Sequence, residues 1–303
     1  MKDKNFLKSV VHHYRISDVA PYINWIYFFH AWSFPLKYAS IANIHGCDAC
    51  RASWLGSFPE AERQRAAEAV QLYKDALRML AELDTYCEIG AVFRLFESNA
   101  DGDDIIVGQT RLPMLRQQIP DSNGYCLCLS DFIRPQDAQE YDRIGLFATS
   151  VSAKTETLYA DDAYNRMLVQ TLADRLAEAA AECLHKEVRT VVWGYACDEN
   201  LTIDELHKEK FQGIRPAVGY PCLPDLSLNF LLDELLDFSQ IGIALTEHGM
   251  MSPHASVSGL MIAHPKSCYF AVGIIDEAQL TDYARRRKKE PAELRAYLVR
   301  NLG

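Results

Sequence analysis

The segment Gly213-Ile214-Arg215-Pro216-Ala217-Val218-Gly219-Tyr220-Pro221-Cys222-Leu223-Pro224-Asp225 gathers the groups best suited to hold a small polar ligand. Its three prolines and two glycines are incompatible with a regular helix or a central strand. A stiff, extended loop is expected, with backbone amides and carbonyls left for another partner. Pro216 biases Arg215 towards extended backbone, so the guanidinium is presented as a preset fork for a carboxylate. Gly219 lets the backbone approach a ligand closely, and Tyr220 offers a flat face. The same composition also fits a proline-rich turn between two elements.

Two further groupings could do chemistry. Asp174, Glu178 and Glu182 are four apart, so they share one helix face and repel one another by a few tenths of a kcal/mol per pair. Spacing alone reads them as a solvated acidic face, with Ala177 and Ala181 leaving room beside it for a ligand. His45-Gly46-Cys47-Asp48-Ala49-Cys50 holds a C-x-x-C with a histidine close by. A zinc site there needs a distant fourth ligand, and the alternatives are a redox pair or plain loop cysteines. Glu182 with His185, and His248 with His254, have spacings a metal could use, although such lone pairs are usually ordinary polar residues. No metal site and no catalytic acid or base is expected.

These residues need elements to position them. After Pro59-Glu60, Ala66, Ala69, Val70, Tyr73, Ala76, Leu77 and Leu80 recur at steps of three and four, predicting a helix through Leu83. Residues 91–96, the turn Asn99 to Asp104, and residues 105–108 predict an antiparallel hairpin. Further strands are expected at 125–130, 144–149, 191–195, 255–262 and 269–274. Long helices are expected at 161–185, 226–238 and 276–287. Strands in hairpin-like groups between helices point to an α+β class: a single domain with a largely antiparallel twisted sheet flanked by helices. The domain is expected over 18–303, preceded by an extension at 1–17.

With 31 Lys+Arg against 41 Asp+Glu, the net charge of -10 disfavours nucleic acid or an anionic membrane as the main partner. The apolar run at the start is too short and interrupted for a signal peptide, and no stretch reaches the roughly 20 apolar residues of a membrane span. A cytoplasmic location follows as the expectation. The nine cysteines are scattered through apolar contexts and read as reduced thiols rather than a disulfide frame.

Arg215-Pro216-Ala217-Val218-Gly219-Tyr220-Pro221 resembles the R-P-x-x-G-Y-P signature of the S-adenosylmethionine-binding, or activation, domain of cobalamin-dependent methionine synthase. Other blocks resemble that family in the same order: Pro21 to Trp25, Asp101 to Ile105, Asp142 to Ala148, Asp174 to Ala179, Trp193 to Ala196, Ala255 to Gly259, and Asp282 to Arg286. The likeness runs from about residue 18 to the end. It implies a free-standing reactivation module that binds S-adenosylmethionine as methyl donor to cobalamin carried by a partner, the cobalamin-binding methionine synthase chain. A flavodoxin-type partner would supply the electron. By resemblance, Arg215 would take the ligand carboxylate and the main chain of Ala217, Gly219 and Tyr220 the adenosine. Glu178 and the residue at 24 would face the ammonium, and Tyr269 and Phe270 would close the pocket.

The chain departs from that pattern in three places. Asn24 stands where the family has an aspartate, so a charge-assisted hydrogen bond becomes a neutral one and weaker ligand binding is expected. Phe270 lacks the hydroxyl of the family's usual tyrosine. Asp225-Leu226-Ser227 replaces an acidic residue, a histidine and a threonine. The alternative function is a non-catalytic S-adenosylmethionine-binding partner that regulates or stabilises a corrinoid methyltransferase.

Overall fold

The structure is a computed structural model that describes residues 8–120 and 122–302. The first seven residues of the expected extension, and Gly303 of the terminal block, lie outside the described residues. The strands are β1 (Val10–Arg15), β2 (Glu88–Asp101), β3 (Asp104–Val107), β4 (Thr110–Pro113), β5 (Asp142–Val151), β6 (Ala244–Leu245), β7 (Met251–Ser252) and β8 (Ser256–Met261). The helices are α1 (Ile16–Val19), α2 (Trp25–Ala31), α3 (Asp48–Gly56), α4 (Glu60–Leu83), α5 (Ala163–Glu187), α6 (Ile203–His207), α7 (Leu228–Leu236), α8 (Glu277–Arg287) and α9 (Pro291–Arg295). The α+β class and the antiparallel sheet flanked by helices are as expected. Among the described residues, no helix is long and apolar enough to cross a membrane.

Six strands form the main sheet in the order β4-β3-β2-β5-β8, and β1 also pairs with β2, all antiparallel. The 14-residue β2 is its spine, pairing β1 along its first half and β3 along its last. β2 is buried on both faces because successive side chains enter different cores. Ile89, Ala91, Phe93 and Leu95 pack with α4 and α5, whereas Val92, Phe96 and Ala100 pack towards α7. β5 repeats the alternation, with Phe147 and Val151 on the α5 side and Ile144, Leu146 and Ala148 on the other. A smaller core around Leu280, Tyr283, Leu294 and Leu298 ties α8 to α9.

The proline-rich segment extends this sheet past β8. Ile214 and Ile262 exchange both backbone hydrogen bonds at 2.9 Å, Leu260 N–H donates to Pro216 O at 3.0 Å, and Val218 N–H donates to Ser258 O at 2.9 Å. Bonds to β8 thus alternate along residues 214, 216 and 218, which turns the main chain of Arg215 and Ala217 away from the sheet. The contact is close because Gly259 has no side chain: a Cβ there would meet Pro216 O at 2.2 Å and Ala217 Cα at 2.9 Å.

Three expected strands are corrected. Val191 to Tyr195 is not a strand: the chain continues α5 as a π-helical turn over Val188–Val192, closed by Trp193 N–H donating to Val188 O at 2.7 Å. The β-branched run misled because Val191 and Val192 face solvent rather than a sheet. Residues 125–130 form only an isolated bridge at Cys128 and then a 3-10 turn, Leu129–Phe132. Residues 269–274 form no strand and bond the loop instead, Val272 N–H donating to Pro221 O at 2.9 Å. The helix expected at 226–238 is shorter, as α7. The stretch placed before residue 18 contributes β1 to the sheet.

Gly259→Ala is expected to destabilise the fold by about 1–3 kcal/mol, since the Pro216–Ala217 backbone must move off β8. Urea denaturation measures this, and a loss below about 0.5 kcal/mol would show that the close approach is not needed.

Candidate functional site

A cavity of about 620 Å³ opens between α5, the edge segment, the turn into α2, the stretch after α6, and residues 269–271. Asn24, Glu178, Arg215, Ala217, Tyr220, Tyr269 and Phe270 all line it. Gly219 does not. At φ +88° it makes the turn possible, and a Cβ there would meet the Leu226 side chain at 2.9 Å. Its amide donates to Leu223 O at 2.8 Å and that of Tyr220 to Ala217 O at 3.2 Å, so both donors are engaged within the loop.

Arg215 is the centre of the site. Its side chain is 11% exposed, and its guanidinium lies 5.9 Å over the buried Phe147 ring. Nη2 donates to Glu182 Oε2 at 3.1 Å, and the backbone N–H donates to the Tyr269 hydroxyl at 2.8 Å. Nε is buried with no acceptor among the described residues. Burial works against the charged form, but Glu182, Tyr269 and Glu178 outweigh it and hold the guanidinium pKa above its ordinary value.

Glu182 also stands 3.9 Å from Arg189, which is fully buried, stacks over Phe211 at 4.2 Å and binds Glu199 through two bonds of 2.7 and 2.8 Å. The result is a chain of alternating charges, Arg215–Glu182–Arg189–Glu199, closed behind the cavity. The solvated acidic face expected from spacing is therefore wrong for Glu182, which is 8% exposed. Spacing could not reveal its partner because Arg215 lies 33 residues away.

The other carboxylate, Glu178, accepts a short hydrogen bond from the Tyr220 hydroxyl. Burial first, and the Glu178 charge second, push the Tyr220 phenol well above its usual pKa, so it remains a donor. Asn24 Oδ1 accepts the Ile26 N–H at 3.1 Å and caps α2. Cys222 Sγ contacts Phe270 O at 2.7 Å and Phe270 N at 3.1 Å, which fastens the loop to the residues that close the pocket. Tyr22, Tyr27, Arg175 and Glu209 also line the cavity; Tyr22 and Arg175 fall within the blocks at 21–25 and 174–179, whereas Tyr27 and Glu209 carry no sequence motif. Asp225 and Ser227 are buried braces, Asp225 accepting from the Tyr283 hydroxyl at 2.7 Å and Ser227 Oγ accepting from Arg287 at 2.8 Å.

The cavity thus sets a buried guanidinium and two carboxylates among aromatic side chains within an α+β domain. The chain belongs to the family of the vitamin B12 dependent methionine synthase activation domain, whose model matches residues 15–288. It is similar to the MetH reactivation domain in a crystal structure bound to AdoHcy, with 37% sequence identity and a TM-score of 0.87. That likeness covers 98% of this chain and 91% of the other.

His185 lies beside the charge chain. Its ring is fully buried, Nδ1 has no partner among the described residues, and burial first, then Arg189 and Arg215, hold its pKa well below 6.5. The unfolded chain binds a proton that the fold refuses, so stability is present above pH 6.5 and is lost as pH falls below it. The loss begins as pH falls through 6.5, with a slope of no more than one proton per chain. His185→Gln is expected to remove that slope in urea denaturation below pH 6.5, and an unchanged slope would contradict the assignment.

Proposed function

We propose that this chain binds S-adenosylmethionine in the Arg215 cavity and positions its methyl group for transfer to cobalamin carried outside these 303 residues. The observation that carries the reading is Arg215: a buried, permanently charged fork whose Nε has no acceptor among the described residues, facing a cavity of suitable size. The ligand carboxylate is assigned to that guanidinium, and the ammonium to Glu178 with Asn24. The adenosine lies along the outward-facing main chain of Ala217 and against Tyr220, and the sulfonium meets the aromatic faces at Tyr269 and Phe270. Gly219 shapes this wall without touching the ligand.

Cobalamin, when presented, would take one electron from a flavodoxin-type reductant and accept the methyl group, leaving S-adenosylhomocysteine in the cavity. The protein's contribution is placement. Glu182 fixes the fork of Arg215, Tyr269 receives its amide, and the Cys222–Phe270 contact holds the closing wall, so the methyl group points in one direction. A cytoplasmic setting fits this chemistry.

A second reading, binding without methyl transfer, is favoured by Asn24, which is uncharged and already engaged as a helix cap. Isothermal titration with S-adenosylmethionine and S-adenosylhomocysteine separates the contributions. Asn24→Asp keeps the cap, adds a charge beside the ammonium and is expected to tighten binding about fivefold. Arg215→Lys is expected to weaken it tenfold or more, roughly the loss of one charge-assisted bond. Unchanged affinity in both variants would remove the ligand assignment. Incubation with a cobalamin-bearing domain, reduced flavodoxin and S-adenosylmethionine should yield methylcobalamin, and its absence despite ligand binding would leave the second reading.

A further inference from the structure

Away from the ligand cavity, α3 begins at an arrangement that the proposed function does not use. His45, Cys47 and Cys50 place one donor atom each within 4.8 Å of one another. Cys47 is the N-cap of α3, and its Sγ accepts the Cys50 N–H at 3.2 Å and lies 2.9 Å from Cys50 Sγ. The helix is held from behind: Trp54 packs on Phe58 at 4.6 Å and donates Nε1–H to Ser40 Oγ at 3.0 Å. Arg51 N–H donates to Cys47 O at 3.1 Å, and Arg51 Nη1 pairs with Asp48 at 3.1 Å, both within the first turn of α3. All three donors reach solvent at least in part.

We propose that His45, Cys47 and Cys50 form a binding site for a thiophilic divalent cation, zinc, with the fourth position open to solvent. Two thiolates and one imidazole are a donor set that zinc takes with three protein ligands and one free position. Zinc–sulfur and zinc–nitrogen bonds of about 2.3 and 2.0 Å require donors roughly 3.5–3.8 Å apart, so the two sulfurs separate by under about 1 Å on binding. Side-chain rotation supplies that movement without disturbing α3. Binding displaces the two thiol protons into solvent, and the bound site is neutral: two positive charges on the metal against two thiolates. The positive end of the nine-residue α3 further favours the thiolates, and the Cys50 N–H on Cys47 Sγ supplies the outer hydrogen bond that orients a ligand.

The test uses the full chain, reduced and stripped of metal. Titration with cobalt(II) should produce a thiolate-to-metal charge-transfer band saturating at one cobalt per chain and displaced by zinc. Cys47→Ser and Cys50→Ser should each abolish the band, His45→Ala should weaken uptake about tenfold or more, and Cys197→Ser, at an exposed cysteine elsewhere, should leave it unchanged. Should a variant fail to fold, alkylation of the native chain decides: zinc should protect Cys47 and Cys50 from iodoacetamide, mapped by mass spectrometry. No charge-transfer band, a band that survives Cys47→Ser, or equal alkylation with and without zinc would overturn the site. So would ready oxidation to a Cys47–Cys50 disulfide in a protein that takes up no metal after reduction, which is the behaviour of a redox pair.

Discussion

The Arg215–Glu182 ion pair joins the long helix α5 to the edge segment beside β8. A buried pair of this kind adds little net stability, because removing two charges from water offsets most of their attraction. What it supplies is geometry. Arg189 and Glu199 extend it into an alternating chain, so each charge in that chain has an opposite neighbour. Removing one member would leave an uncompensated charge, typically a cost of about 3–5 kcal/mol, whereas the intact set holds the guanidinium in one orientation.

That orientation depends in turn on the sheet. The two-residue alternation of β2 and β5 buries both faces of the sheet and leaves β8 with an edge free to take Ile214 to Val218. Only a residue without a side chain at 259 lets the prolyl backbone lie that close. Opposite, Ala177, Ala179, Ala180 and Ala181 are all buried and let α5 settle on the sheet, where Thr149 Oγ1 donates to Ala177 O at 2.9 Å. Glu178 and Glu182, one turn apart, then meet the edge segment from the other side.

Elements governed by a single strong period were legible in the sequence. The apolar steps of α4 and α5 predicted helices within a few residues of those found, and the turn at Asn99 to Asp104 predicted the β2–β3 hairpin. Elements whose hydrogen bonds go to irregular partners were not. Val10-Val11-His12-His13-Tyr14-Arg15 pairs with β2 although its apolar residues do not alternate, and Val188–Val192 stays helical despite its β-branched content. Within the site, the residues of the 215–220 block are recognisable together because they are contiguous. Glu182 was read as solvated because its burial depends on a partner far along the chain. Gly219, at φ +88°, serves the turn of that block and does not itself line the cavity.

In the proposed binding mode, the fixed guanidinium of Arg215 receives the carboxylate of an S-adenosyl amino acid. A crystal structure of this chain grown with S-adenosylhomocysteine tests it directly. The ligand should occupy the cavity, its carboxylate hydrogen-bonded to Arg215 while the Arg215–Glu182 pair persists, and its adenosine along Ala217. A cavity empty at saturating ligand, or a ligand seated with Arg215 turned away from its carboxylate, would contradict it.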